Sequence, residues 1–193
     1  MTDTPVIGFA MCGSFCTFDR VLRELEKLRE RYPEIVPIMS ETSRWTDNRF
    51  GTAESFASRM EAVCGRPILR SLTDVEPIGP RGLLDALVIA PCTGNTLAKL
   101  AHGVADSAVT LACKAHLRNG LPVVIAVSTN DGLGGNAANI GTLLARKHFY
   151  FVPFGQDSPA KKPCSLVADF SQIGPTLEMA LEGRQLQPLL LRT

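Results

Sequence analysis

Thr93, Gly94, Asn95 and Thr96 carry the densest chemistry of the 193-residue chain. Two hydroxyls and a carboxamide can donate to or accept from a ligand's polar edge. The glycine allows a flat ring to approach the backbone. Before these residues runs Leu87-Val88-Ile89-Ala90, short and aliphatic enough for a buried strand, which Pro91 should end because it has no N–H for a ladder. After them Leu97, Leu100, Ala101 and Val104 recur at helical spacing. The polar residues therefore sit where a strand's carboxyl end meets a helix's amino end, the place where open α/β sheets bind ligands. An ordinary loop with an N-cap Thr or Asn would look the same.

Other clusters fall at equivalent places. Gly13, Ser14 and Phe15 follow a first strand over Pro5–Ala10, and a helix over Phe18–Arg31 comes next, with Thr17 as its expected N-cap. Gly8 and Gly13-Ser14 have the glycine spacing of a P-loop, but Ser stands where the lysine should be, and there is no G-x-G-x-x-G. What remains is a turn able to hold one phosphate, or a plain βα turn. Ser40 and Thr42 end a second strand, EIVPIM, in which Pro37 suggests an edge or irregular position. They can contact a phosphate or ribityl chain, or form an N-cap cluster. Arg44 and Arg49 lie in a polar loop around the single Trp45 and could bind a carboxylate or a ring edge, or pair with Asp47. Ser128 and Asn130 follow the strand Leu121–Val127, and the glycines after them suit a mobile loop. Lys161 and Lys162 sit in a loop over Phe154–Pro163, after a last strand over Phe149–Pro153.

Helices are expected over Thr52–Cys64, Ala105–Asn119, Asn136–Lys147 and Pro175–Glu182, a short strand over Pro67–Leu69, and a Pro/Gly-rich connector over Ser71–Leu84. Strands and helices alternate, which predicts an α/β, doubly wound, mostly parallel sheet in a Rossmann-like or flavodoxin-like three-layer sandwich. We expect one domain over residues 1–193, with an apolar tail, Leu186–Thr193, docked on the same or a neighbouring subunit.

Composition excludes several classes. Formal net charge is +1 and no Lys/Arg block exceeds a dipeptide, which argues against a nucleic-acid partner. No apolar run approaches the ~20 residues of a membrane span. The start, MTDTPVIGFAMCGSF, is acidic and runs straight into a strand, unlike a signal peptide, so a cytoplasmic location is expected. The six cysteines form no C-x-x-C pair and no zinc spacing with the three histidines, so we expect reduced thiols and no metal. His102 and His116 read as surface or packing residues.

The run APCTGNTLAKLAHGVADS resembles the flavin loop of the homo-oligomeric flavin-containing cysteine decarboxylase family. GPRGLLDALVIAP, VSTNDGLGGNAANIG and YFVPFGQDSPAKKPCSLVAD narrow the resemblance to one branch along nearly the whole chain. That branch works with a second, different subunit to form pyridine-2,6-dicarboxylate in the mother cell of spore-forming bacteria. The resemblance implies a flavin site made by Gly13, Ser14, Phe15, Ser40, Thr42, Pro91, Thr93, Gly94, Asn95, Thr96 and Ser128. It also implies a homo-oligomer, a trimer or an assembly of trimers, and a small dicarboxylate substrate. No second phosphate site is apparent, which favours FMN over FAD or NAD. Arg44, Arg49, Asn130, Lys161 and Lys162 are the candidates for the dicarboxylate, and Asn95 and Asn130 for catalysis. Decarboxylases of the family carry a His shortly before the Leu87 strand and a Pro-x-Met-Asn segment near Asn130. This chain lacks the His, the Pro and the Met. Decarboxylation and a non-catalytic flavin-binding or scaffolding role are the alternatives.

Overall fold

The computed structural model describes residues 4–191. Five parallel strands form its centre: β1 (Ile7–Met11), β2 (Ile35–Met39), β3 (Ala86–Cys92), β4 (Val123–Thr129) and β5 (Phe149–Phe151). Their spatial order is β2-β1-β3-β4-β5. Ile7 lies opposite both Ile35 and Ala86, and Leu87 lies opposite Val123. β1, β2 and β3 are buried along their whole length, which is why they read as unbroken aliphatic runs. One face is covered by α1 (Phe18–Arg31), α3 (Ala53–Cys64) and α9 (Ile173–Leu181). The other carries α6 (Gly94–His102), α7 (Ala108–Leu117) and α8 (Ala137–Leu144). This is the doubly wound three-layer sandwich that the alternation implied.

Local chemistry explains the helix ends. Phe18, Val21, Leu22, Leu25 and Leu28 form the buried stripe of α1. Thr52 caps α3 by accepting from Ser55 N, and Gly65 closes it in the left-handed region at φ 68°. Thr17 does not cap α1. A 3-10 turn, Phe15–Thr17, precedes that helix, and the Thr17 hydroxyl donates to Ser14 O at 2.8 Å instead. Pro37 is tolerated because β2 is an edge strand, and its carbonyl accepts from Leu69 N at 2.9 Å. The expected strand over Pro67–Leu69 is a single bridge between Leu69 and Ile38.

Other expectations need correction. Pro91 does not end β3. The Ala90–Pro91 peptide is cis, pairing with β4 shifts between Ile89 and Cys92, and the strand runs on to Cys92. Arg44 and Trp45 belong to a short helix, α2 (Glu41–Trp45), rather than a loop. The connector before β3 holds two helical turns, α4 (Leu72–Val75), with a Ser71–Asp74 capping box, and α5 (Ile78–Arg81).

The largest correction follows β5, which is not the last strand. The expected loop over Phe154–Pro163 is a hairpin of β6 (Phe154–Ser158) and β7 (Lys162–Ala168). Its Gly, Asp, Ser, Lys and Pro residues have turn chemistry, and among β6 residues only Phe154 is buried. The first half of β4 pairs with β5, while Ser128 and Thr129 at its end pair antiparallel with β7. The tail docks on the same chain: Phe154 N donates to Leu189 O and Leu191 N to Phe154 O, both at 3.0 Å. Arg192 and Thr193, the end of the expected tail, lie outside the described residues.

Candidate functional site

The order β2-β1-β3 places the topological switch between β1 and β3, where a crevice opens at the carboxyl ends of the strands. A cavity of about 240 Å³ lies there. Cys12 and Gly13 after β1, and Ser40, Glu41 and Thr42 after β2, form one side. Thr93, Asn95 and Thr96 at the start of α6, with Lys99 and Ser107, form the other.

Each wall has a physical origin. Thr93 is the N-cap of α6: its Oγ1 accepts from Thr96 N at 3.4 Å and lies 3.1 Å from Thr96 Oγ1. Ser40 caps α2 by accepting from Ser43 N at 3.3 Å, so its hydroxyl serves the cap while facing the cavity. A Cβ on Gly13 would stand 3.0 Å from the Thr42 Cγ2 methyl, so glycine lets the β1 turn close against α2. Glu41 Oε1 accepts from Ala108 N at 3.2 Å, which turns its charge toward the amino end of α7. Lys99 Nζ donates to Asp106 Oδ1 at 2.8 Å and holds that carboxyl below its ordinary pKa. Burial pushes the Cys12 thiol up to about 11, against the opposing hydrogen bonds from Thr96 and Thr93. Burial also drives Cys113 to about 12 and Cys92 well upward. All six cysteines are free, and the buried ones stay protonated near neutrality, so no thiolate nucleophile faces this cavity.

A second cavity, of about 300 Å³, lies beyond the Gly13–Ser14 turn. Its walls include Ser14, Arg20, Ser128, Thr129 and Asn130, with Asp157, Lys162 and Ser165 from the hairpin. Ser14 Oγ lies 2.8 Å from Ser128 Oγ, and Lys162 Nζ donates to Asp157 Oδ2 at 2.6 Å.

The cofactor candidates therefore divide. Gly13, Ser40, Thr42, Thr93, Asn95 and Thr96 meet in the first cavity, and Ser14 and Ser128 in the second. Ser14 opens on a 3-10 turn without a side-chain cap, not on a helix start, and Ser128 belongs to β4 rather than to the loop after it. Phe15 packs against Phe18 with ring centroids 5.2 Å apart, and Pro91 is buried within β3; neither lines these walls. Gly94 is crowded at the start of α6. A Cβ there would stand 2.5 Å from Asn136 Nδ2 and from Thr129 Oγ1, and 2.8 Å from Asp131 Oδ1. On the side a Cβ would take, the close approach is to the chain's own side chains.

Of the substrate candidates, Asn130 and Lys162 line the second cavity. Arg44 and Arg49 line neither cavity and stack on their neighbours, Arg44 over Trp45 at 4.2 Å and Arg49 over Phe50 at 4.8 Å. Asp47 does not pair with them; it accepts from Ala53 N at 2.8 Å. Lys161 sits in the hairpin turn outside both cavities. Side-chain bonds cross the loop after β4: Asp131 accepts from Thr129 Oγ1 at 2.5 Å and from Asn136 Nδ2 at 2.8 Å. Lys99, Arg20 and Asp131 were missed. Lys99 follows Asn95 by four positions on one helix, so the i, i+4 rule places both on one face. Arg20 stands in the sequence among Arg23, Glu24, Glu26, Lys27, Arg29 and Glu30, and no local signal separates it from Arg23. Among the described residues no group of three or more His, Cys, Asp or Glu could hold a metal ion, and no helix is long and apolar enough to cross a membrane.

A flavodoxin-order sheet with polar helix starts and hydroxyl clusters at its switch point defines a mononucleotide-binding class of α/β protein. The comparisons agree: the flavoprotein family model matches residues 1–143, and the chain belongs to that family. It is 42% identical over 185 residues to the B subunit of dipicolinate synthase from Bacillus subtilis (strain 168), covering 96% of this chain and 92% of that protein. The crystal structure of the dipicolinate synthase B subunit from Bacillus halodurans C superposes with a TM-score of 0.90 at 43% identity, covering 98% and 97% of the two chains. An FMN-dependent cysteine decarboxylase, SpaF, matches with a TM-score of 0.68 at 25% identity over 91% of this chain and 97% of that one.

Proposed function

We propose that this chain is the FMN-binding subunit of a dipicolinate synthase, acting with that enzyme's A subunit to form pyridine-2,6-dicarboxylate. The observation that carries this reading is the convergence of Gly13, Ser40, Thr42 and the start of α6 on one cavity at the β1/β3 switch. The donor set fits a single phosphate. α6 is long enough to present a developed amino end, Thr42 and Ser40 offer hydroxyls, and Lys99 adds a cation. Glu41 opposes an anion, but its charge is drawn toward α7.

Each cavity is at or below the lower end of the usual range for small-molecule sites, about 300–1,000 Å³. A flavin nucleotide therefore extends from the first cavity toward the second, across the Gly13–Ser14 turn. Asn95, on the wall of the first cavity, offers a carboxamide that can hydrogen-bond a polar ring edge. Ser14 and Ser128 share one hydrogen bond, which leaves one hydroxyl proton free for a ligand. When bound, the flavin supplies a two-electron acceptor for the aromatisation of the dihydropyridine that remains after 4-hydroxy-tetrahydrodipicolinate loses water. The chain's own residues bind, orient and exclude water around that exchange. The sequence has no dinucleotide fingerprint, so any nicotinamide belongs to the A subunit.

The test is assembly. FMN titration of the purified chain should give tight binding and a flavin absorption band. Pyridine-2,6-dicarboxylate should form faster with both subunits and FMN than with the A subunit alone. An A-subunit rate that this chain does not change would leave flavin binding or scaffolding as its role. Carbon dioxide release from a cysteine-derived thiol acid would favour the decarboxylase alternative, which the likeness to SpaF supports.

A further inference from the structure

Two cations from different elements line the second cavity: Arg20 from α1 and Lys162 from the first position of β7. Arg20 has its guanidinium carbon 5.0 Å from the centroid of the buried Phe170 ring. Stacking holds the planar group on an apolar shelf and leaves its N–H edges available for a planar acceptor. Arg20 forms no ion pair among the described residues. Asp169, beside it in an adjoining hollow, has one oxygen that already accepts from Ser171 N and Ser171 Oγ.

Lys162 is tied to Asp157, and that bond raises its ammonium pKa further above neutrality. The pair is partly exposed, so it is weak enough to share its cation with an incoming anion. Two positive groups and one carboxylate leave the cavity with a net positive charge. Asn130 and the free proton of the Ser14–Ser128 pair add neutral donors to its wall.

We propose that the second cavity is the carboxylate-recognition site of this chain: the Arg20 guanidinium and the Lys162 ammonium together take one carboxylate of a small dicarboxylic acid. The assignment rests on the functional reading above. It keeps Lys162 of the expected cationic partners and puts Arg20 in place of Arg44, Arg49 and Lys161.

The test is calorimetric titration of the FMN-loaded protein with pyridine-2,6-dicarboxylate at low ionic strength. Arg20→Gln and Lys162→Gln should each weaken binding at least about tenfold, the scale of one charge-assisted hydrogen bond. Arg23→Gln removes the same charge from the same helix outside the cavity, and Lys161→Gln does so beside Lys162. Both should stay within about twofold of the parent, as should FMN affinity in all four variants. Unchanged dicarboxylate affinity in Arg20→Gln and Lys162→Gln, with the parent binding, overturns the cavity assignment and leaves the functional reading standing. An equal loss in the two control variants overturns it in favour of diffuse charge. A tenfold loss of FMN affinity in Arg20→Gln overturns it by giving the cavity to the flavin phosphate. A parent that binds FMN but not the dicarboxylate overturns the functional reading and this inference together.

Discussion

Ser14 Oγ and Ser128 Oγ lie 2.8 Å apart across 114 residues of sequence. β3 runs between β1 and β4, so this contact passes over the end of β3 and joins the turn after β1 to the strand that carries the hairpin. It stands on the boundary between the two cavities, with Gly13 on one side and Asn130 on the other. Ser14 thus lines the second cavity while its neighbour Gly13 lines the first.

Ser14→Asp should therefore be more harmful to FMN binding than Ser14→Ala. The alanine removes a hydrogen bond worth about 1 kcal/mol. The aspartate adds a charge at the boundary and repels an anionic nucleotide on one side and a dicarboxylate on the other. Fluorescence titration should show at least about tenfold weaker FMN binding for Ser14→Asp. Parent-like affinity would place the flavin elsewhere.

Gly94→Ala tests the crowding at the start of α6. Alanine is the better helix former, by up to about 1 kcal/mol. Here, however, the new Cβ meets Asn136 Nδ2 and Thr129 Oγ1 at 2.5 Å. Overpacking should win, destabilising the protein by about 1–3 kcal/mol in urea unfolding and displacing Asn95 from the first cavity. Gly141→Ala in α8 meets nothing within 4 Å and should instead stabilise by about 0.5–1 kcal/mol. Two equal shifts of the same sign would contradict the steric account.

The contrast between those glycines shows what could be read in advance. The layers and the place of the ligand edge follow from aliphatic runs alternating with helical stripes, and those signals are local; the strand order is set by pairings between distant segments. β1, β2 and β3 were legible because both their faces are buried. The β6–β7 hairpin was not, because its stability comes from pairing Ser128 and Thr129 with Val167 and Leu166, distant in sequence, while its own residues have turn chemistry. The first cavity was foreseeable from Ser40 and Thr93 at strand ends. Arg20 was not, since only the fold sets it over Phe170.

Trp45 offers a test of assembly. It is 71% exposed on α2, the helix whose first residues line the first cavity, and Phe50 nearby is 44% exposed. Large aromatics left in water beside a ligand site suit a covered surface. Light scattering at micromolar concentration should report a mass above that of one chain, and Trp45→Glu should lower it while leaving the far-ultraviolet circular dichroism unchanged. A parent protein that scatters as a monomer would refute the assembly.

His116 sets an acid limit on stability. It is completely buried in α7, with Nε2 at 3.1 Å from Pro122 O, so Nε2 carries the proton and donates. Nδ1 is buried with no partner. Protonating the ring would place a new N–H and a charge where nothing receives them. Burial therefore pushes the imidazole pKa below its ordinary value, against the Pro122 bond and the field of Asp85, which act in the other direction. In the unfolded chain the same ring titrates near about 6.5. Below that pH the unfolded state binds a proton that the folded state refuses, so stability falls as pH drops through the unfolded pKa, and the loss stops only below the depressed folded pKa. His116→Gln keeps a donor for Pro122 but cannot titrate. Urea midpoints measured between about pH 5 and 6.5, above the main carboxylate range, should fall in the parent and stay flatter in the variant. Parallel slopes for the two proteins would show that another group governs the acid limb.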